Sequence, residues 1–374
     1  MATLVALIAI LAWQSSRATG QAAAPRPLQA VYVGFDEQGL EQLYRRPITF
    51  DEQGAVVAGD VLQLTDTPNA FWDYAVRPVG DLIVYSALDD QGGSDLRQID
   101  AESGEQDLLL ACEPNVCNSP SWSADGQFLS FSVRNSSLDG ATLLNPPRPW
   151  ILNVTTGETA PMLSDDQQLG FETRWSADGK WVTYLLAGQG QIGLLNLEDA
   201  SIQVIERGDG EPVAWHPDKP LFAHSRMEQV QDAHVLHLLL SSPTDDSAIN
   251  LSGADALVED RSPAWSPDGE WMAFRRKELE GPNVTLGSQL WLMQLPQGAS
   301  TGGEIRALTA DAGFDHGPPQ WSPDGRFLLY QKFPLKGPNI EISVWLLDVE
   351  NGESYEIARP GRRPGWISSE SGTD

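Results

Sequence analysis

Few stretches of this 374-residue chain carry residues that could do chemistry. Gly298-Ala299-Ser300-Thr301-Gly302 matches the Gly-x-Ser-x-Gly pattern that holds a serine nucleophile on a tight strand-to-helix turn, with His and Asp partners downstream. Here the serine sits among small residues between two short strand-like runs, and no helical pattern follows. The stretch reads as a loop, and no catalytic residue is assigned. The histidines are His216, His224, His234, His237 and His316. His234 and His237 are three apart on a strand-like run, so they point to opposite faces and cannot share a metal unaided. Asp89-Asp90-Gln91-Gly92-Gly93-Ser94-Asp95 is rich in carboxylates but lacks the ligand spacing of a calcium loop. No metal and no cofactor is expected. Cys112 and Cys117 flank Glu113 to Val116; in an oxidising compartment they would close a small loop, and otherwise they are two thiols. A structural zinc site wants four ligands, which this pair cannot supply.

Charge narrows the partners. Lys plus Arg number 24 against 52 Asp plus Glu, a formal net charge of −28. Such a surface repels phosphate backbones, so nucleic acid is excluded as a partner. Cationic proteins or ligands fit better, and the plain alternative is that the charge keeps an exported protein soluble. Export is expected from the N-terminus, where an apolar run from Leu4 to Trp13 precedes small residues and Ala22-Ala23-Ala24. That run is too short to span a membrane, and residues 1–24 read as a signal peptide or N-terminal hydrophobic segment. Membrane attachment is expected only if that segment stays uncleaved.

The elements that would position any site come from a repeat. Trp122-Ser123-Ala124-Asp125-Gly126, Trp175-Ser176-Ala177-Asp178-Gly179, Trp265-Ser266-Pro267-Asp268-Gly269 and Trp321-Ser322-Pro323-Asp324-Gly325 share one phrase. Trp215-His216-Pro217-Asp218-Lys219 is a worn copy, and Val76-Arg77-Pro78-Val79-Gly80 an earlier one. Nine positions past the leading residue comes a ring residue: Tyr85, Phe131, Tyr184, His224, Phe274 and Tyr330. Ser, Pro or Ala, Asp and Gly suit a tight turn ending in a left-handed residue, so the phrase joins two strands, with the Trp ending the first. A phrase recurring every 40 to 56 residues fits four-stranded propeller blades.

Six units begin at Val76, Trp122, Trp175, Trp215, Trp265 and Trp321. Gln29 to Phe35, Leu40 to Arg45 and Val61 to Leu64 look like a unit lacking its first strand, and Arg363 to Ile367, with Trp366, looks like that strand. The expected fold is therefore all-β: a seven-bladed β-propeller of four-stranded antiparallel blades, closed when the C-terminal strand joins the N-terminal strands, with six blades as the competitor. Residues 28–367 form one domain and 368–374 a disordered tail. From about residue 74 to 366 the phrase and its following strand resemble the TolB-type β-propeller repeat, and also the propellers of prolyl-oligopeptidase-type peptidases. The resemblance implies the fold. It is not specific for function, because such repeats serve many roles.

In an antiparallel blade the second-to-third and fourth-to-first connections lie on one face. The long connections expected there are Asn135 to Arg148 and Arg275 to Gly287, with Ala111 to Ser119, Ser164 to Glu172, Gly253 to Arg261 and Ala310 to Gly317. Their carboxylates, Asp165, Asp166, Glu172, Asp255, Glu259, Asp260, Asp311 and Asp315, form the candidate binding face. The functional expectation is an exported, monomeric, non-catalytic propeller that binds a protein or small ligand there. The alternative is a propeller enzyme of lactonase, glycosidase or lyase type using carboxylates over a central channel. No carboxylate pair stands out in the first strands, which favours binding.

Overall fold

The computed structural model describes residues 27–68, 71–89, 93–135, 146–165, 168–188, 190–205, 208–282, 284–295, 303–337 and 340–367. The 1–24 segment, the 368–374 tail, Asp166, the 298–302 stretch and most of the 135–148 connection lie outside them. The described residues are all-β, with no helix.

Each repeat folds as an antiparallel meander. Val116–Trp122, Phe128–Arg134, Arg148–Asn153 and Thr159–Pro161 pair in that order. Gly170–Trp175, Trp181–Leu186, Ile192–Asn196 and Ile202–Ile205 do the same. Neighbouring meanders stay separate except for two single parallel pairings, Ser94 with Val116 and Leu236 with Glu259. The two termini of the described chain share one sheet: Arg362–Ile367 pairs antiparallel with Leu28–Phe35, setting Trp366 opposite Ala30 and Gly365 opposite Val31.

The recurring phrase forms the turn for which its residues are suited. Ser123 N–H donates to Phe128 O at 2.9 Å and Gly126 N–H to Ser123 O at 2.9 Å. Ser123 Oγ donates to Asp125 Oδ1 at 2.6 Å, and that oxygen also accepts Gln127 N–H at 3.0 Å. Gly126 takes φ 66°, a left-handed value at which a Cβ is costly. Ser176 to Asp178, Ser266 to Asp268 and Ser322 to Asp324 repeat the hydroxyl-to-carboxylate bond, and Gly179, Gly269 and Gly325 the left-handed backbone. In the worn copy the turn is held differently, His216 Nδ1 accepting Asp218 N–H at 3.0 Å and Lys219 N–H at 3.2 Å.

The tryptophans tie each meander to the one before. Trp122 Nε1 donates to Ala75 O, Trp175 to Ser121 O, Trp215 to Arg174 O, Trp265 to Ala214 O, Trp321 to Ala264 O and Trp366 to Gln320 O, at 2.9 to 3.3 Å. In every case the acceptor is the residue just before the preceding repeat's leading position. First strands are thereby neighbours in series: Phe71–Val76 beside Val116–Trp122, onward to Gln320–Trp321 beside Arg362–Ile367, and that last strand beside Phe71–Val76. Apolar side chains fill the spaces between sheets. Leu28, Ala30, Tyr32 and Ile48 pack on Phe327, Leu329, Val344 and Leu346, while Val31, Val33 and Leu43 pack on Ile83, Tyr85 and Ile99. Sheets covered on both faces explain the near-continuous apolar runs in the second strands.

Candidate functional site

The first strands do not run straight. Across from Phe131, Tyr184, Phe274 and Tyr32 the register slips, between Ser130 and Ser132, between Phe171 and Arg174, between Arg261 and Ala264, and between Val31 and Val33. These are β-bulges, which bend a strand and re-aim a side chain. The residue three before the tryptophan takes a left-handed backbone at four of them: Ser119 (φ 53°), Glu172 (53°), Ser262 (50°) and Arg363 (49°). None is glycine, so each carries strain on the order of 1 kcal/mol that the surrounding sheet must hold.

Three of these residues, with Asp73 at the matching place before Val76, meet at one cavity of about 600 Å³. Its walls include Tyr74, Arg174, Trp321 and Trp366, so strands from both ends of the described chain contribute. Asp73 is anchored: Oδ1 accepts Ser86 Oγ at 2.5 Å and Oδ2 accepts Ser119 N–H at 2.7 Å. Burial, reinforced by the negative charge of Glu172, raises its affinity for a proton above that of an ordinary aspartate, against the opposing pull of those hydrogen bonds and of Arg363. Glu172 is less constrained. It accepts Arg174 Nη2 at 3.2 Å and Ser119 Oγ at 3.4 Å, with its side chain 34% exposed. The Arg363 side chain is exposed and makes no hydrogen bond or ion pair with described residues, while its carbonyl accepts the Tyr74 hydroxyl at 2.6 Å.

A second charged cluster lies farther along the first strands. Ser262 Oγ donates to Glu211 Oε2 at 2.6 Å, and Arg275 reaches Glu211 at 3.8 Å and Asp315 at 3.0 Å. Asp209, buried beside Glu211, also holds its proton more tightly than usual, chiefly through desolvation. Among the described residues no group of three or more His, Cys, Asp or Glu is placed to hold a metal.

The expected binding face is redistributed. Four first strands begin earlier than the polarity of their residues suggested, at Val116, Gly170, Val258 and Phe314. Glu172, Glu259, Asp260 and Asp315 are therefore strand residues and not loop residues. Asp165 and Asp255 are exposed, while Asp311 is half-buried and pairs with Lys332 at 3.4 Å. Asp260 does not belong to the face. It is fully buried, accepting Arg276 Nε at 2.7 Å, Arg276 Nη2 at 2.6 Å and Ser252 Oγ at 2.5 Å. Asp73 and the cavity role of Arg363 went unnoticed in the sequence, although reading the repeat three positions before each tryptophan displays Asp73, Ser119, Glu172, Ser262 and Arg363 together. Cys112 and Cys117 are disulfide-bonded, with Cα atoms 6.0 Å apart. His216, His224, His237 and His316 are buried in separate surroundings.

No protein-family model matches the chain, and no curated protein does. Solved structures do. TolB from Acinetobacter baumannii aligns with a TM-score of 0.52 at 15% identity, over 92% of this chain and 67% of its own. A prolyl endopeptidase structure aligns at 0.61 with 14% identity, over 91% and 49%. A puromycin-hydrolysing peptidase from Mycobacterium tuberculosis aligns at 0.58 with 13% identity, over 90% and 54%. The chain thus spans about half the length of those peptidases. At these identities the likeness is one of fold, and the fold is a TolB-like β-propeller.

Proposed function

We propose that the chain is a seven-bladed propeller, closed by Arg362–Ile367, whose central cavity binds a peptide segment or small ligand bearing a cationic group. The serial tryptophan links and the pairing of the first and last strands support the closed ring. The observation that carries the binding reading is the half-exposed Glu172, held by a strained backbone at the cavity wall opposite an exposed guanidinium. Glu172 offers a seat for an ammonium or guanidinium, Arg363 offers donors to a carbonyl or carboxylate, and Trp321, Trp366 and Tyr74 offer apolar surface. A peptide with a basic side chain has all three complements. The net charge of −28 would draw such a ligand in and disfavour nucleic acid. The N-terminal apolar run and the Cys112–Cys117 disulfide support an exported, oxidising location.

Calorimetric titration with a library of short Lys- or Arg-containing peptides tests this reading. Binding to the wild type should be lost in Glu172→Ala and weakened in Arg363→Ala, with melting unchanged. Equal binding by all three proteins would exclude the cavity.

The Asp73–Glu172 pair gives a second reading, a carboxylate enzyme, because one of two neighbouring carboxyls holds its proton more tightly. Binding is favoured over it because both Asp73 oxygens already accept hydrogen bonds within the protein. Turnover of a lactone or glycoside panel that disappears in Asp73→Asn would reverse this preference.

A further inference from the structure

A second cavity lies away from the first strands, between two successive meanders. In several meanders the ring residue after the turn faces another ring across the strand pair: Phe131 opposite Trp150, Phe274 opposite Trp291, Tyr330 opposite Trp345, Tyr32 opposite Tyr44. Those pairs fill the space toward the neighbouring sheet. In Phe222–Val230 the same place is taken by His224, opposite Leu239. The next partner along is Ser241, opposite Phe222, and the adjoining Asp245–Asn250 strand presents Ser247 and Ala248. Small residues replace rings, and a cavity of about 460 Å³ remains.

Its lining is mixed in a defined way. Leu194, Val204, Ile205 and Phe222 make apolar walls, and Val204 leaves 47% of its surface uncovered. His224 lines the cavity while only 2% exposed; its Nε2 meets Ser241 Oγ at 3.1 Å, and its Nδ1 has no well-formed hydrogen-bond partner among the described residues. A buried polar atom without a partner is uncommon and invites one from outside the fold. Arg226 Nε donates to Glu228 Oε1 at 2.7 Å, and Asp245, which accepts Ser247 N–H at 2.9 Å, leaves the mouth with one carboxylate in excess. Besides Asp245, the groups offered are hydroxyl, amide and imidazole: Ser241, Ser242, Ser247, Gln203 and His224.

We propose that this groove binds a neutral, hydroxyl-rich small molecule of about the size of one sugar ring. Its apolar face would lie along Val204 and Ile205, and its hydroxyls would meet His224, Ser241 and Gln203. A cavity of several hundred Å³ with apolar walls and a few convergent polar groups is the usual form of such sites. An anionic ligand is disfavoured, because the one guanidinium at the mouth is already paired with Glu228 and Asp245 adds a further negative charge.

Saturation-transfer NMR with glucose, galactose, N-acetylglucosamine and myo-inositol tests the proposal on the full chain. At least one of the four should receive saturation from the wild type. His224→Phe restores the ring found in other repeats, and Ser247→Tyr covers the groove from an exposed position. Each should weaken binding about tenfold or more, with unchanged thermal unfolding. Ser247→Tyr decides the matter if His224→Phe fails to fold. Absence of saturation transfer to all four probes, or undiminished binding by the folded variants, would overturn the assignment.

Discussion

Tyr74 donates its hydroxyl to the carbonyl of Arg363 at 2.6 Å, joining the first repeat to the last strand. It stands where the tryptophan series is interrupted, since Val76 occupies the leading position of that repeat and has no indole to donate. The join made elsewhere by Trp-to-carbonyl bonds is made here by a phenol two residues upstream. Burial keeps that phenol protonated well beyond its ordinary range, so it remains a donor at any physiological pH.

Closure by these two side chains should be measurable. Trp366→Phe removes the bond to Gln320 O and part of the buried ring, and Tyr74→Phe removes the bond to Arg363 O. Each hydrogen bond contributes about 1 kcal/mol net, and the double variant should lose at least about 2 kcal/mol in urea unfolding. Deleting residues 362–374 should do more, converting a single transition into a broad or stepwise one, because Leu28–Phe35 then becomes an open edge. An unchanged single transition after that deletion would show that the terminal strand does not hold the molecule together.

Acid should weaken the fold through two histidines. Burial, aided by Arg226 for His224 and by Lys332 for His316, lowers both from 6.5 to about 4. They are neutral when folded, whereas the unfolded chain protonates them first. Stability is therefore full above about pH 6.5 and is lost as pH falls toward about 4, by roughly 3 kcal/mol for each. Asp73 and Asp209 act with the opposite sign as they take up protons above the ordinary aspartate range, because their proton affinities are raised in the fold. His316→Gln should make the acid limb of a stability-against-pH curve shallower. An acid limb left unchanged by His316→Gln would contradict the burial of that ring.

Much of this architecture was legible because the turn phrase is a local device. Ser, Asp and Gly bond to one another within the turn, so their spacing survives in the sequence whatever surrounds it. The starts of the first strands were less legible for a physical reason. A bulge sets two residues opposite one, which breaks the alternation that marks a strand, and the residues there face a polar cavity. Glu172 and Asp315 consequently have the polarity of loop residues, although Asp315 pairs with Phe333 in the ladder and Glu172 sits in the bulge between the paired Phe171 and Arg174. Asp73 was hidden further because its repeat has lost both tryptophan and serine.

Strain and binding should separate at Glu172. Glycine at this position relieves the left-handed backbone, stabilising the chain by up to about 1 kcal/mol, and deletes the carboxylate. Glu172→Gly is thus expected to melt no lower than the wild type while losing the cationic ligand. Glu172→Gln keeps the strain and should melt with the wild type while binding poorly. Destabilisation by the glycine would mean that Glu172 contributes contacts worth more than the strain it imposes.

The opposite pattern is expected two first strands on, at Asp260. Arg276 lies 5.4 Å from the Phe274 ring centre and 5.2 Å from that of Trp291, with Asp260 its bidentate partner and no exposure on the carboxylate. Asp260→Asn leaves that guanidinium buried without a counter-charge and should cost about 3–5 kcal/mol. Adding Arg276→Met removes the orphaned charge and should recover most of the loss. Reversing the charges of Asp255 and Glu259, exposed and half-buried respectively, should cost far less, so any binding defect in that variant reports the surface itself. If Asp260→Asn proved as stable as the wild type, the carboxylate would have to be reached by solvent, and its place on a ligand-binding face would be restored.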